Sequence, residues 1–223
     1  MTVHINGTDI YYEQTGTGRP LILVHGNGED HTIFREAVDV LREDFTCICP
    51  DSRGHGSSAP AAELHYEDMA DDMIALMETL DLRDAVFCGF SDGGIVGLLA
   101  APRCGRISAL ITCGANLTPK GLKPGMRLLF RVMYLLKKDP LIRLMLDEPR
   151  ISDGMLAGIK ARTLVLAGSR DLIRRKETEH IARGIPGAEM KILGGEDHGS
   201  YIVHSEKIAG LIREFAGRDR TEV

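Results

Sequence analysis

Five stretches of the chain are apolar almost from end to end: PLILVHG (20–26), FTCICPD (45–51), DAVFCGF (84–90), ISALITC (107–113) and TLVLAGS (163–169). A strand with one wet face alternates apolar and polar residues, so a run without alternation belongs to a strand covered on both faces. Between these runs lie segments with helical periodicity, at 30–43, 66–81, 92–101, 174–183 and 204–216. In 66–81 the positions Met69, Met73, Ile74, Met77 and Leu80 share one helical face, which marks it as a packing face. Strands alternating with helices imply right-handed crossovers and a largely parallel sheet with helices on both faces. TVHI and DIYYEQ, around Asn6-Gly7, add a hairpin, and 189–193 adds a last strand. The expected fold class is α/β, with a mostly parallel, twisted sheet of about eight strands.

A length of 223 residues suits a single domain over 1–223, with a short helical cap inserted at about 115–158. The net charge of −5 offers little to a nucleic acid, whose binding domains are usually strongly basic. The five cysteines include no CxxC pair, and their odd number argues against a closed disulfide framework. Cys47, Cys49, Cys88 and Cys113 fall in expected strands, where a free thiol behaves as a small apolar residue. No ligand cluster or dinucleotide motif implies a metal or an organic cofactor. The first residues lack the pattern of a signal peptide, and no apolar run approaches the ~20 residues that span a bilayer. A cytoplasmic protein without stable membrane insertion, monomeric or homodimeric, is the expectation.

In such sheets, sites form where strands end at their carboxyl side. His25-Gly26-Asn27-Gly28, Gly89-Phe90-Ser91-Asp92-Gly93, Asp171 and His198 all stand at such ends. Glycines two before and two after Ser91 suit a tight, strained turn that lifts the hydroxyl clear of the sheet. The turn sits at a helix N-terminus, whose unpaired N–H groups and dipole favour a developing negative charge. A serine hydroxyl needs a base to become a nucleophile. Of the eight histidines, His198 lies in GGEDHGSY, a polar, glycine-rich loop that can reach across strand ends. His25 and His55 are placed to order their own loops, and His4, His31, His65, His180 and His204 fall in edge or helical segments. Asp171, in GSRD, follows a strand one element earlier than His198 and can orient it. Asp197 is the weaker choice, because adjacent side chains point apart.

LVHGNG, DSRGHGSS, GFSDGG, LVLAGSRD and EDHGSY, in this order, resemble the α/β-hydrolase family over nearly the whole chain. The resemblance implies Ser91 as nucleophile, His198 as general base and then acid, and Asp171 as the orienting acid. It also implies an oxyanion hole from the main-chain N–H groups of Asn27 and Asp92. Ala161-Arg162-Thr163 replaces a proline common among relatives, and Ser169 stands where an acidic residue is frequent. The SDGG variant resembles the branch of valacyclovir-hydrolase-like amino-acid-ester hydrolases, where an acidic group pairs with a substrate ammonium. Asp92, however, is also simply favourable in the first turn of a helix.

The insertion is shorter than the multi-helix lids of many relatives. From Thr118 to Leu146 it carries seven basic residues against Asp139, a local +6. Attraction of an anionic substrate or a membrane surface is one reading. The reading adopted here is a lid helix whose basic residues face water while Leu128, Leu129, Val132, Met133, Leu135 and Leu136 cover the site, with a dimer contact left open. Phe90, Asp92 and Met133 are the candidate substrate contacts. The expected activity is a serine hydrolase of small carboxylic esters or related acyl substrates, working through an acyl-enzyme. Lactone, thioester or carbon–carbon hydrolysis, perhydrolysis, and a slowly turning small-molecule receptor remain alternatives on the same fold.

Overall fold

Apolar runs that need cover on both faces become interior strands of one eight-stranded sheet in the computed structural model, which describes residues 1–217. The strands are β1 (Thr2–Ile5), β2 (Thr8–Thr15), β3 (Arg19–Val24), β4 (Phe45–Pro50), β5 (Ala85–Phe90), β6 (Ile107–Cys113), β7 (Arg162–Gly168) and β8 (Glu189–Leu193). Their order is β1-β2-β4-β3-β5-β6-β7-β8, and β2 alone runs against the rest. From β3 the chain steps outward to β4, then returns to lay β5 on the other side of β3. The carboxyl ends of β3 and β5 therefore adjoin at the point where the direction of winding reverses, which is where open α/β sheets leave a crevice.

Helices cover both faces. α1 (Arg35–Leu41) and α8 (Lys207–Gly217) pack on one, burying Leu41, Ile208, Ile212 and Phe215. α2 (Tyr66–Thr79), α3 (Asp92–Ala100) and α7 (Arg175–Gly184) pack on the other with Met69, Met73, Met77, Leu98 and Ile181. Every residue of α3 is buried, as expected of a helix held between the sheet and α2. Between β6 and β7 lie α4 (Pro124–Lys137), α5 (Pro140–Asp147) and α6 (Asp153–Ala157). α4 rests on α5 and on a 3₁₀ turn at Pro119–Gly121, and none of its residues is fully buried.

Two expected helices differ at their ends. The segment at 30–43 splits into a 3₁₀ turn, His31–Phe34, capped by the Asp30 carboxylate, and then α1. Phe34, at φ −97° and ψ 3°, leaves helical geometry and makes the break. The last helix starts at Lys207 rather than 204, because His204 takes φ 49°, which a right-handed helix cannot include. All five cysteines are free and buried. Burial pushes the Cys47 thiol up to about 12 and the Cys49 and Cys113 thiols well above the usual range. Among the described residues, no helix is long and apolar enough to cross a membrane.

The loop after β4 is tied to α2 by an ion pair between the half-buried Arg53 and the fully buried Asp72. Arg53 grips Asp72 through Nε and Nη2, both at 2.6 Å, and Asn6 Nδ2 donates to the same carboxylate at 3.1 Å. Asp68 contacts Arg53 more loosely, at 3.3 Å, from a half-exposed position. Removing one partner of a buried pair strands the other charge, whereas exposed pairs contribute little. Asp72→Ala is therefore expected to lower stability by roughly 3–5 kcal/mol in urea unfolding, and Asp68→Ala by less than about 1 kcal/mol. Equal losses in the two variants would contradict this account.

Candidate active site

Ser91 alone makes the turn between β5 and α3, at φ 52° and ψ −110°. A non-glycine residue enters this region only when its surroundings over-determine it. Here they do. A β-carbon at Gly89 would lie 2.0 Å from the Gly93 carbonyl oxygen, and one at Gly93 would lie 2.1 Å from that of Val24. Both positions must be glycine for α3 to start this close to β3 and β5. The Ser91 N–H donates to the Cys113 carbonyl at 2.7 Å, and the Gly93 N–H to that of His25 at 3.0 Å.

The Ser91 hydroxyl meets His198 Nε2 at 3.0 Å, and His198 Nδ1 meets Asp171 Oδ1 at 2.7 Å. Asp171 is buried and also accepts the Ile173 N–H at 2.8 Å and the Gly168 N–H at 3.3 Å. A carboxylate facing Nδ1 favours a proton there, which leaves Nε2 free to accept the serine O–H. The Phe90 ring lies 5.0 Å from the imidazole. Gly114, which the sequence did not single out, allows this approach: a β-carbon there would lie 2.7 Å from His198 Cε1. Asp197 instead accepts the Gly199 and Ser200 N–H groups of its own turn. His4, His65, His180 and His204 each meet a carboxylate other than Asp171, and His31 meets the buried Asp51.

Ser91 and His198 open onto a cavity of about 290 Å³, which Asn27, Phe90 and Asp92 also line. Tyr66, Glu29, Glu148, Asn116 and Phe130 complete much of its wall and were not foreseen: Tyr66, Phe130 and Glu148 lie on helices or at their ends, and Glu29 and Asn116 follow β3 and β6 in strand-end loops that the sequence did not single out at these positions. Asp92 is buried, with Oδ1 accepting the Tyr66 hydroxyl at 2.8 Å and Oδ2 the Asn27 amide at 2.9 Å. Burial pushes its carboxyl above the usual range, against the pull of those two hydrogen bonds. Glu29 is raised likewise by burial, although the Gly26 N–H favours its anion.

A family model described as the alpha/beta hydrolase fold matches residues 19–197. The chain belongs to the α/β-hydrolase family. Among its relatives is the AB hydrolase superfamily protein YisY of Bacillus subtilis (strain 168), 29% identical over 93% of this chain and 95% of that one. Serine hydrolase BPHL of Mus musculus is 25% identical over 96% of this chain and 84% of its own. An enol-lactonase from Burkholderia xenovorans LB400 shares the fold, with a TM-score of 0.81 at 23% identity, over 97% of this chain and 100% of that one. Its fold and these relatives make this chain a hydrolytic enzyme.

In this hydrolase the α4 helix corrects two expectations. Met133 does not line the cavity; Phe130, three residues earlier on the same face, does. Nor do the leucines cover the site: Leu128, Leu129, Val132, Leu135 and Leu136 face solvent. The helix turns toward the protein the side bearing Met126, Phe130 and Met133, which are half-buried, so the leucine side is left outward.

The loop that carries Asn27 is braced by His25. Its Nδ1 donates to the Gly26 carbonyl at 2.7 Å and its Nε2 accepts the Ser52 N–H at 3.0 Å, so the neutral ring fits and the cation does not. Burial lowers its pKa from 6.5 to about 4. A depressed histidine pKa means the unfolded chain binds the extra proton between these values. The stabilisation is complete above about pH 6.5 and is lost as pH falls toward 4. Relative to a His25→Gln variant, the wild type should lose on the order of 3 kcal/mol between pH 7 and 4. Parallel pH profiles of unfolding free energy for the two proteins would refute this assignment.

Proposed function

We propose that this hydrolase cleaves small carboxylic esters, or closely related acyl bonds, through Ser91, His198 and Asp171. His198 takes the Ser91 proton as Oγ attacks the acyl carbon, and the proton then passes to the departing alkoxide. Water, deprotonated by His198, attacks the resulting acyl-enzyme; the acid leaves and Ser91 recovers its proton. Asp171 holds the imidazole in one tautomer and stabilises its cation. The oxyanion is assigned to the main-chain N–H groups of Asn27 and Asp92, where pre-aligned donors stabilise charge without reorganisation. The observation that supports this reading is the unbroken contact from Ser91 Oγ through His198 to Asp171, at 3.0 and 2.7 Å, beside a cavity of small-molecule size.

Ser91→Ala should lower kcat/KM on a short p-nitrophenyl ester series by roughly 10⁴-fold or more, and Asp171→Asn by about 10⁴-fold. Wild-type rates at the Ser91→Ala background would overturn the proposal, and ligand binding without turnover would then be the next test.

A narrower reading concerns the substrate's charge. The residues lining the cavity include Glu29, Asp92 and Glu148 and, among the described residues, no lysine or arginine. Each Asp92 oxygen accepts one hydrogen bond from the protein, so each keeps acceptor capacity. An ester with an α-ammonium group suits such a wall. Asp92 has a competing duty, because its bond to Asn27 also positions the loop carrying an assigned oxyanion donor. Asp92→Asn separates the two. A loss of about tenfold or more confined to α-amino esters supports ammonium recognition, and an equal loss on neutral esters assigns Asp92 to positioning alone.

A further inference from the structure

The outward side of α4 is apolar where the surface of a protein is ordinarily polar. Leu128, Leu135 and Leu136 are 63, 68 and 80% exposed, and Leu129 and Val132 lie beside them. These five side chains fall within an arc of about 120°, at about 100° per residue. Phe130 points the other way and lines the cavity. At about 100° per residue Arg131 and Arg127 lie about 40° and 80° beyond one edge of the arc and Lys137 about 80° beyond the other, while Lys120 and Lys123 precede the helix and Lys138 caps its end. Among the described residues, none of these six has a carboxylate within 4.0 Å, and Lys138 rests over the Tyr134 ring. The stretch 118–146 carries +6 in a chain whose total is −5, so the remainder carries −11.

We propose that α4 docks this hydrolase on an anionic lipid surface. The leucine arc enters the interface between headgroups and acyl chains, and the surrounding cations meet the headgroups. Charge decides the occupant. A two-fold contact between copies of this chain would set the same patch against itself, bringing one +6 stretch onto another. An anionic bilayer complements both the apolar arc and its rim. It also repels the acidic remainder of the molecule, which orients the chain with α4 downward. Docked this way, a single helix would have its leucines in the interface and Phe130 at the cavity wall, so apolar substrates would reach the cavity from the side of the membrane. The proposal concerns where the enzyme works and does not depend on which acyl bond is cut.

The test is vesicle flotation of the full chain with phosphatidylglycerol–phosphatidylcholine vesicles and with phosphatidylcholine alone. The bound fraction should be at least about tenfold higher on the anionic vesicles at low ionic strength, and should fall steeply with added salt. Leu135→Ser/Leu136→Ser and Arg131→Gln/Lys137→Gln/Lys138→Gln should each lose most of the binding. Both should keep wild-type rates on a water-soluble ester, which reports an intact fold. Absence of the wild type from anionic vesicles at low salt would overturn the proposal. So would undiminished flotation of both variants. A lipid-free dimer that Leu135→Ser/Leu136→Ser dissociates, with no vesicle binding, would assign the face to a second copy instead.

Discussion

The closeness of α3 to the sheet is the constraint on which the other features rest. Its first turn sits so near β3 and β5 that no side chain fits at Gly89 or Gly93. Ser91 must take a positive φ to join the two elements. Such backbone strain costs on the order of 1–3 kcal/mol. Complete burial of α3, together with the N–H contacts to the Cys113 and His25 carbonyls, holds it in place. A looser α3 would relax the turn and carry the serine hydroxyl away from His198.

The neighbouring loops are fixed by polar contacts that run as a chain. Asp72 on α2 grips Arg53, the adjacent Ser52 donates to His25, and His25 braces the turn leading to Asn27. Asn27 then spans Asp92 and the Leu141 carbonyl on α5, at 2.9 and 3.2 Å. One amide thus links the end of β3, the start of α3 and the segment that roofs the cavity. Around that roof the charges separate. Acidic residues are among those lining the cavity, and basic residues without a carboxylate partner among the described residues lie along α4 and at its ends.

Most of the fold was legible because burial leaves a plain record. A strand covered on both faces cannot hide, and the five apolar runs became β3 to β7. The strand-end positions of Ser91 and Asp171 were legible for the same reason, since each follows such a run; His198 follows the half-exposed β8 and was found from its polar, glycine-rich loop. The cavity wall was not. Tyr66 and Glu148 come from the start of α2 and the end of α5, and only tertiary packing brings them beside Ser91. Helix ends were missed where a single residue left helical geometry, at Phe34 and His204. The orientation of α4 was misjudged because apolar residues nearly encircle it. Periodicity names the inner face only when the outer one is polar.

The burial of every cysteine has a consequence for how this protein meets its chemical environment. A thiol must be reached, and must ionise, to react with an electrophile or a peroxide; all five are buried out of reach, and burial raises the pKa of Cys47, Cys49 and Cys113. With them out of reach, the reactive centre in the reaction proposed above is an alcohol oxygen on a strained turn. Oxygen at that oxidation state has no thiol-like ladder of sulfenic and sulfinic products to climb. The reactive centre is thereby indifferent to redox conditions that would silence a cysteine in the same place.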